Sequence, residues 1–125
     1  MSSPSATRTL FPYQNEPIWS RSEKAVARRV FDAALKRELQ QIMQEAKQRA
    51  AQIKEPADVW DLERYLTRRR KQIDGKYAFR LSRLTQVFGK LLSERRITEE
   101  ELRGFSEDKV KSIRSCAQFL AENAA

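Results

Sequence analysis

The residues of this chain best equipped for chemistry are suited to recognition. Trp60 is followed at helical spacing by Arg64 and, one turn on, by Arg68 or Lys71. An arginine over an indole face is a cation–π pair worth about 0.5–1 kcal/mol when exposed, and tryptophan beside arginine is the composition of binding hot spots. Two readings of Trp60 stand: a partner contact, or packing against the end of a neighbouring helix or a second copy of the chain. The densest cationic run is Arg68-Arg69-Arg70-Lys71. Four consecutive helical residues point to four sides, so the run solvates a helix as readily as it reads a phosphate backbone. Arg69 and Arg70 precede Asp74 at the spacing of intrahelical ion pairs, each worth only tenths of a kcal/mol.

Reactive chemistry has less to work with. The chain contains no histidine, which removes the commonest general base, the commonest transition-metal ligand and the usual partner of a nucleophilic serine or cysteine. An enzyme is not expected, nor a metal site. The single cysteine, Cys116, has no internal disulfide partner and falls near the buried face of the last helix as inert packing. It suits a reducing cytoplasm. No apolar run approaches the roughly 20 residues of a membrane span, and Met1 to Arg8 lack the apolar core of a secretory signal. The net charge of +8 keeps a basic helical dimer on nucleic acid open as an alternative. Against it, the basic run carries no interleaved aromatics and no recognition-helix pattern.

These residues need helices to position them. Three glycines and four prolines, with no proline after Pro56, point to an all-α protein. Residues 1–18 are Ser-, Thr- and Pro-rich without periodicity and read as a flexible arm, although Phe11, Tyr13 and nearby Trp19 could dock on a helix. Ser20 and Glu23 form a capping box opening a helix to about Lys54. Its apolar stripe is Phe31, Leu35, Leu39, Ile42, Ala46, Ala50 and Ile53, extended backward by Val26, Val30 and Ala34. A rod of about 45 Å is too long for a small monomer to cover, so its length argues for a homodimer. Leu39 and Ile42 fall on that face.

Glu55-Pro56 breaks the rod, and the short connection predicts a hairpin. The second helical stretch covers 57–94. Apolar residues at 59, 62, 66, 73, 77, 81, 84, 88 and 91 mark one buried face across Gly75, which offers a close approach, a hinge or a kink. Trp60 lies roughly 130° from that face. Thr98 and Glu101 form a second capping box for a short helix ended by Gly104, and Ser106 caps a last helix buried through Val110, Ile113, Ala117 and Leu120. Phe105 is placed to staple onto Val110. The organisation is therefore the arm, a long-helix stem and dimerisation region over 19–94, and a small helical head over 95–125 packed on 77–94.

Trp60-x-Leu62…Arg70-x-x-Ile73-Asp74-Gly75-Lys76-Tyr77-x-x-Arg80, continued by Val87-Phe88-x-x-Leu91-Leu92, Glu101-Leu102 and Asp108-Lys109…Ile113, resembles the fluorescence recovery protein family of cyanobacterial photoprotection over roughly residues 22–120. The resemblance implies an all-helical, non-enzymatic homodimer without a cofactor. It also implies binding to the C-terminal domain of light-activated orange carotenoid protein and faster return of that partner from the red to the resting orange state. It places Trp60 and Arg70 among the partner-critical positions and Val59, beside Trp60, at the dimer contact. Glu63 and Arg64 stand where the family pattern has a histidine and an aspartate, Gln86 where it has an aromatic, and Ser112 where it has a lysine. Glu63, Arg64 and Gln86 are accordingly candidate partner-binding positions at which this chain's contact surface differs.

Overall fold

The computed structural model describes residues 18–124, so the expected arm lies outside the described residues except for Ile18. Among the described residues four α-helices follow one another: α1 (Arg21–Ala51), α2 (Val59–Lys76), α3 (Leu84–Ser93) and α4 (Glu107–Glu122). Single 3-10 turns at Pro56–Asp58, Leu81–Arg83 and Glu100–Leu102 link them, and no strand occurs among the described residues.

Local signals set the ends of α1 and the turn beyond it. The Glu23 amide donates to Ser20 Oγ at 3.1 Å and the Ser20 amide donates to Glu23 Oε1 at 2.9 Å, the reciprocal pair of a capping box. Past Ala51, Asp58 Oδ2 accepts the Lys54 and Glu55 amides at 3.1 and 3.0 Å, and Pro56 opens the following 3-10 turn. α2 then returns antiparallel along α1: Tyr65 donates to Glu45, and Arg69 pairs with Glu38 at 2.7 Å.

The expected helical stretch over 57–94, with a hinge or kink offered at Gly75, is two helices. α2 stops at Lys76; Tyr77 takes φ −96° and ψ 78° as its C-cap, and α3 starts only at Leu84. The break puts Tyr77 and Phe79 edge-on against Phe31, with ring centroids 5.4 and 5.1 Å away. Two edge-to-face aromatic pairs outweigh a few helical hydrogen bonds. The continuous apolar face from 59 to 91 therefore does not exist: Leu84, Phe88 and Leu91 are buried, whereas Val59 and Leu66 are exposed. Gly75 makes no close approach within the protomer, since a Cβ there would meet nothing within 4 Å.

The head core joins the first half of α1 to α3, α4 and their connections. Val30, Phe31 and Ala34 meet Leu84, Phe88, Leu91, Leu102 and Ile113. Trp19 stacks edge-on against Phe105 at 5.4 Å and donates Nε1–H to the Leu81 carbonyl at 3.1 Å. Thr98 and Glu101 form their reciprocal cap, at 2.9 and 3.3 Å. Gly104 has another reason to be glycine: an added Cβ would lie 2.4 Å from a Val26 methyl. On α3, a Cβ at Gly89 would lie 2.5 Å from Cys116 Sγ and 2.6 Å from its Cβ. Gly89→Ala must push α4 away from α3 and is expected to cost about 1–3 kcal/mol; urea unfolding with an unchanged midpoint would refute that packing.

α1 carries two different faces. Ala27, Val30, Phe31, Ala34 and, unexpectedly, Glu23 and Glu38 are the buried positions. The stripe Leu35, Leu39, Met43, Ala46 and Ala50 lies about 120° around the helix from them, with Leu39 48% and Met43 47% exposed. The sequence stripe had merged these two faces.

Candidate functional site

Val59 and Trp60 form the first turn of α2, at the tip of the hairpin away from the head. Both are exposed, Trp60 by 61% and Val59 by 46%. Tyr65 and Arg69 define the side of α2 that faces α1. At about 100° per residue, Trp60 points almost directly away from α1, whereas Val59 and Leu66 lie to one flank. Because α2 runs antiparallel, that flank is on the same side of the hairpin as Leu39 and Met43. One apolar face thus spans both helices, with Ile42 half-buried at its edge. Val59 belongs to it and Trp60 does not.

Around the tryptophan, the expected arginine stacking does not form. Arg64 donates to Asp61, and the stacking arginines lie over Tyr65: Arg49 at 4.0 Å and Arg68 at 5.7 Å from its centroid. Glu63 accepts from Thr67 Oγ1 at 2.7 Å. Arg70 is held loosely by Asp74, 3.9 Å away, and its side chain is exposed. Trp60, Glu63 and Arg64 are together at the tip; Arg70 lies farther along α2. Gln86, exposed on α3, is at the other end, across a groove from Gly75. The four-residue basic run does point four ways: Arg68 over Tyr65, Arg69 inward to Glu38, Arg70 outward to Asp74, and Lys71 to the groove.

Behind these surfaces lies a group the sequence reading missed. Glu38 has no solvent exposure. Lys76 Nζ lies 2.8 Å from its Oε1, Arg69 Nη2 donates at 2.7 Å, Tyr77 Oη donates at 2.8 Å, and Arg96 Nε approaches at 3.2 Å. Lys76 and Arg96 also reach Glu94, at 2.7 and 2.8 Å. Burial pushes the Glu38 carboxyl upward, but the hydrogen bonds from Lys76, Arg69 and Tyr77 outweigh it and hold the group below its ordinary value. The Tyr77 hydroxyl moves upward, through burial first and then its bond to Glu38. Lys76 and Tyr77, the end of the Ile73-Asp74-Gly75-Lys76-Tyr77 core, thus clasp a carboxylate on α1. The available signal was positional: Glu23 and Glu38 fall on the Ala27–Val30–Ala34 face at helical spacing.

Glu23 repeats the arrangement at the head. Its carboxylate accepts from Lys109 Nζ at 2.9 Å and from the Ser106 amide at 2.8 Å. The Ser20 amide above all, working against burial and helped by Lys109 and Ser106, lowers its pKa from 4.5 to about 2. A carboxylate depressed in the folded state contributes stability above its unfolded pKa and loses it as pH falls through the folded one. Stability is therefore expected to fall between about pH 4.5 and pH 2. Glu23→Gln should make that decline shallower in a pH series of urea midpoints; an unaltered decline would remove Glu23 from the acid response.

Among the described residues no group of His, Cys, Asp or Glu is arranged to hold a metal ion, and no helix is long and apolar enough to cross a membrane. A family model described as photoprotection regulator fluorescence recovery protein matches residues 19–117. The chain is 36% identical over 104 residues to the fluorescence recovery protein of Synechocystis sp., covering 83% of this chain and 95% of that one. The solved structure of the Fremyella diplosiphon fluorescence recovery protein superposes with a TM-score of 0.78 at 36% identity, covering 81% of this chain and 99% of that one. The Synechocystis structure gives the same values. The family model covers most of the chain and the Synechocystis relative is matched over nearly its whole length, so the chain belongs to the fluorescence recovery protein family of photoprotection regulators.

Proposed function

We propose that this protein is a non-enzymatic, cytoplasmic homodimer that binds the C-terminal domain of orange carotenoid protein and accelerates its return from the red to the orange state. The observation that carries this reading is the exposed Trp60 at the tip of α2, on a chain matched to the family from residue 19 to 117. Trp60, Glu63, Arg64, Arg70 and Gln86 form the partner surface. Leu39, Ile42 and Val59 meet a second copy, and Trp60 borders that seam. No cofactor takes part: the protein supplies differential affinity for two states of its partner, which is all that a conformational regulator needs.

The test is the relaxation rate of photoactivated orange carotenoid protein, followed by absorbance with and without this protein. Acceleration at substoichiometric amounts is expected; no acceleration by folded protein would mean that Glu63, Arg64 and Gln86 fit another partner. Trp60→Ala, which removes a side chain open to solvent, should weaken partner binding by about 2 kcal/mol or more while barely moving the melting temperature. Equal losses in both would return Trp60 to a packing role.

A further inference from the structure

The groove between the C-terminal end of α2 and α3, about 540 Å³ in volume, collects six cations. Arg69, Lys76 and Arg96 form its floor and are bound to Glu38 and Glu94. Lys71, Arg83 and Lys90 complete its lining. Of these three only Lys90 has a carboxylate near it, Glu94 at 3.4 Å, and Glu94 is already shared with Lys76 and Arg96. Lys71 and Arg83 form no ion pair among the described residues. Six cations therefore face two carboxylates.

We propose that this groove binds a multivalent oxyanion of the oligophosphate class. Lysines along one helix are ordinary solvated surface; here cations in excess of their carboxylates converge from α2, a 3-10 turn and α3 on one concavity. Like charges held together in a cleft focus potential and concentrate counter-anions. The floor is pre-organised, because Glu38 and Glu94 fix Arg69, Lys76 and Arg96 without neutralising the whole set. The wall at Gly75 is open, since even a Cβ there would meet nothing within 4 Å. A monovalent anion can compensate only one of the three cations at a time. A chain of linked phosphates can engage Lys71, Arg83 and Lys90 together, with the charge-assisted hydrogen bonds that ammonium and guanidinium groups make to phosphate oxygens. The inference does not rest on the protein partner proposed above, although Gln86 borders both surfaces.

The experiment is calorimetric titration of the full chain with inorganic tripolyphosphate, with ATP and with an octaglutamate peptide, against sodium chloride of matched ionic strength. Saturable tripolyphosphate binding is expected. Equal binding of ATP would assign recognition to the phosphates alone, and tighter binding of ATP would identify a nucleotide as the source; both support the site. Lys71→Gln, Arg83→Gln and Lys90→Gln combined should weaken tripolyphosphate at least about tenfold. The charge-matched set Lys24→Gln, Lys47→Gln and Lys111→Gln, outside the groove, should change it less than twofold. Amide exchange of the unmodified protein supplies a readout free of substitutions: tripolyphosphate should slow exchange over residues 71–76 and 83–90. Heat that merely tracks ionic strength, equal losses in the two triple variants, protection elsewhere in the chain, or tighter binding of octaglutamate would each overturn the proposal.

Discussion

Glu38→Ala is expected to destabilise the protein by about 3–5 kcal/mol, the usual cost of removing one partner from a buried ionic cluster. The substitution leaves Arg69, Lys76 and Arg96 gathered around a site with no anion beneath them, and it removes the acceptor of the Tyr77 hydroxyl. Glu94 remains near Lys76 and Arg96 but lies away from Arg69 among the described ion pairs. At roughly 4 °C per kcal/mol for a domain of this size, the melting temperature should fall by about 10–20 °C. Urea is the right denaturant, because guanidinium chloride screens the charges under test. A loss below about 1 kcal/mol would show that Lys76 and Arg96 reach solvent or Glu94 at little cost, and that Glu38 does not tie the end of α2 to α1.

Val59→Glu is expected to convert the proposed dimer to a 14.6 kDa monomer while leaving the protomer folded. Val59 is 46% exposed in the isolated protomer, so a glutamate there remains hydrated until a second copy covers it. Desolvating that carboxylate at an apolar seam with Leu39, Met43 and Leu66 costs several kcal/mol. A cost of about 4 kcal/mol raises the dimer dissociation constant roughly a thousandfold. Sedimentation equilibrium decides the matter. A dimer of unchanged affinity would move the seam elsewhere, and a loss of helical circular dichroism would show that Val59 supports the protomer itself.

The helix boundaries legible in the sequence were those set by local chemistry. Ser20 with Glu23, Thr98 with Glu101, and Pro56 each act within one turn, so residue type and spacing suffice. Gly75 offered a hinge or kink, but a full break after Lys76 was hidden because Ile73, Tyr77, Leu81 and Leu84 keep a helical period although they belong to different elements. What ends α2 is a distant demand: Phe31 and Glu38 on α1 draw Tyr77 and Phe79 inward. Glu38 was illegible for the same reason. A glutamate beside Lys36 and Arg37 reads as surface until the fold brings Arg69, Lys76 and Arg96 to it. At the candidate site, the angle of Trp60 to the apolar residues of α2 left packing and partner contact both open, and the structure exposes the side chain. The fate of each arginine was not legible, because Asp61, Tyr65 and Glu38 compete for them across two helices.

The straight run of α2 also acts as a ruler. Trp60 and Gly75 are separated by about 22 Å of helix at 1.5 Å per residue, and Gln86 stands beyond Gly75 across the groove. A partner that touches both ends needs a rigid footprint of at least that length. A loop or short peptide engaging one end would leave the other in water, whereas a folded domain of about 100 residues, with a radius of gyration near 13 Å, spans the interval. For a partner of that kind, the stem would select by size before any side chain is read.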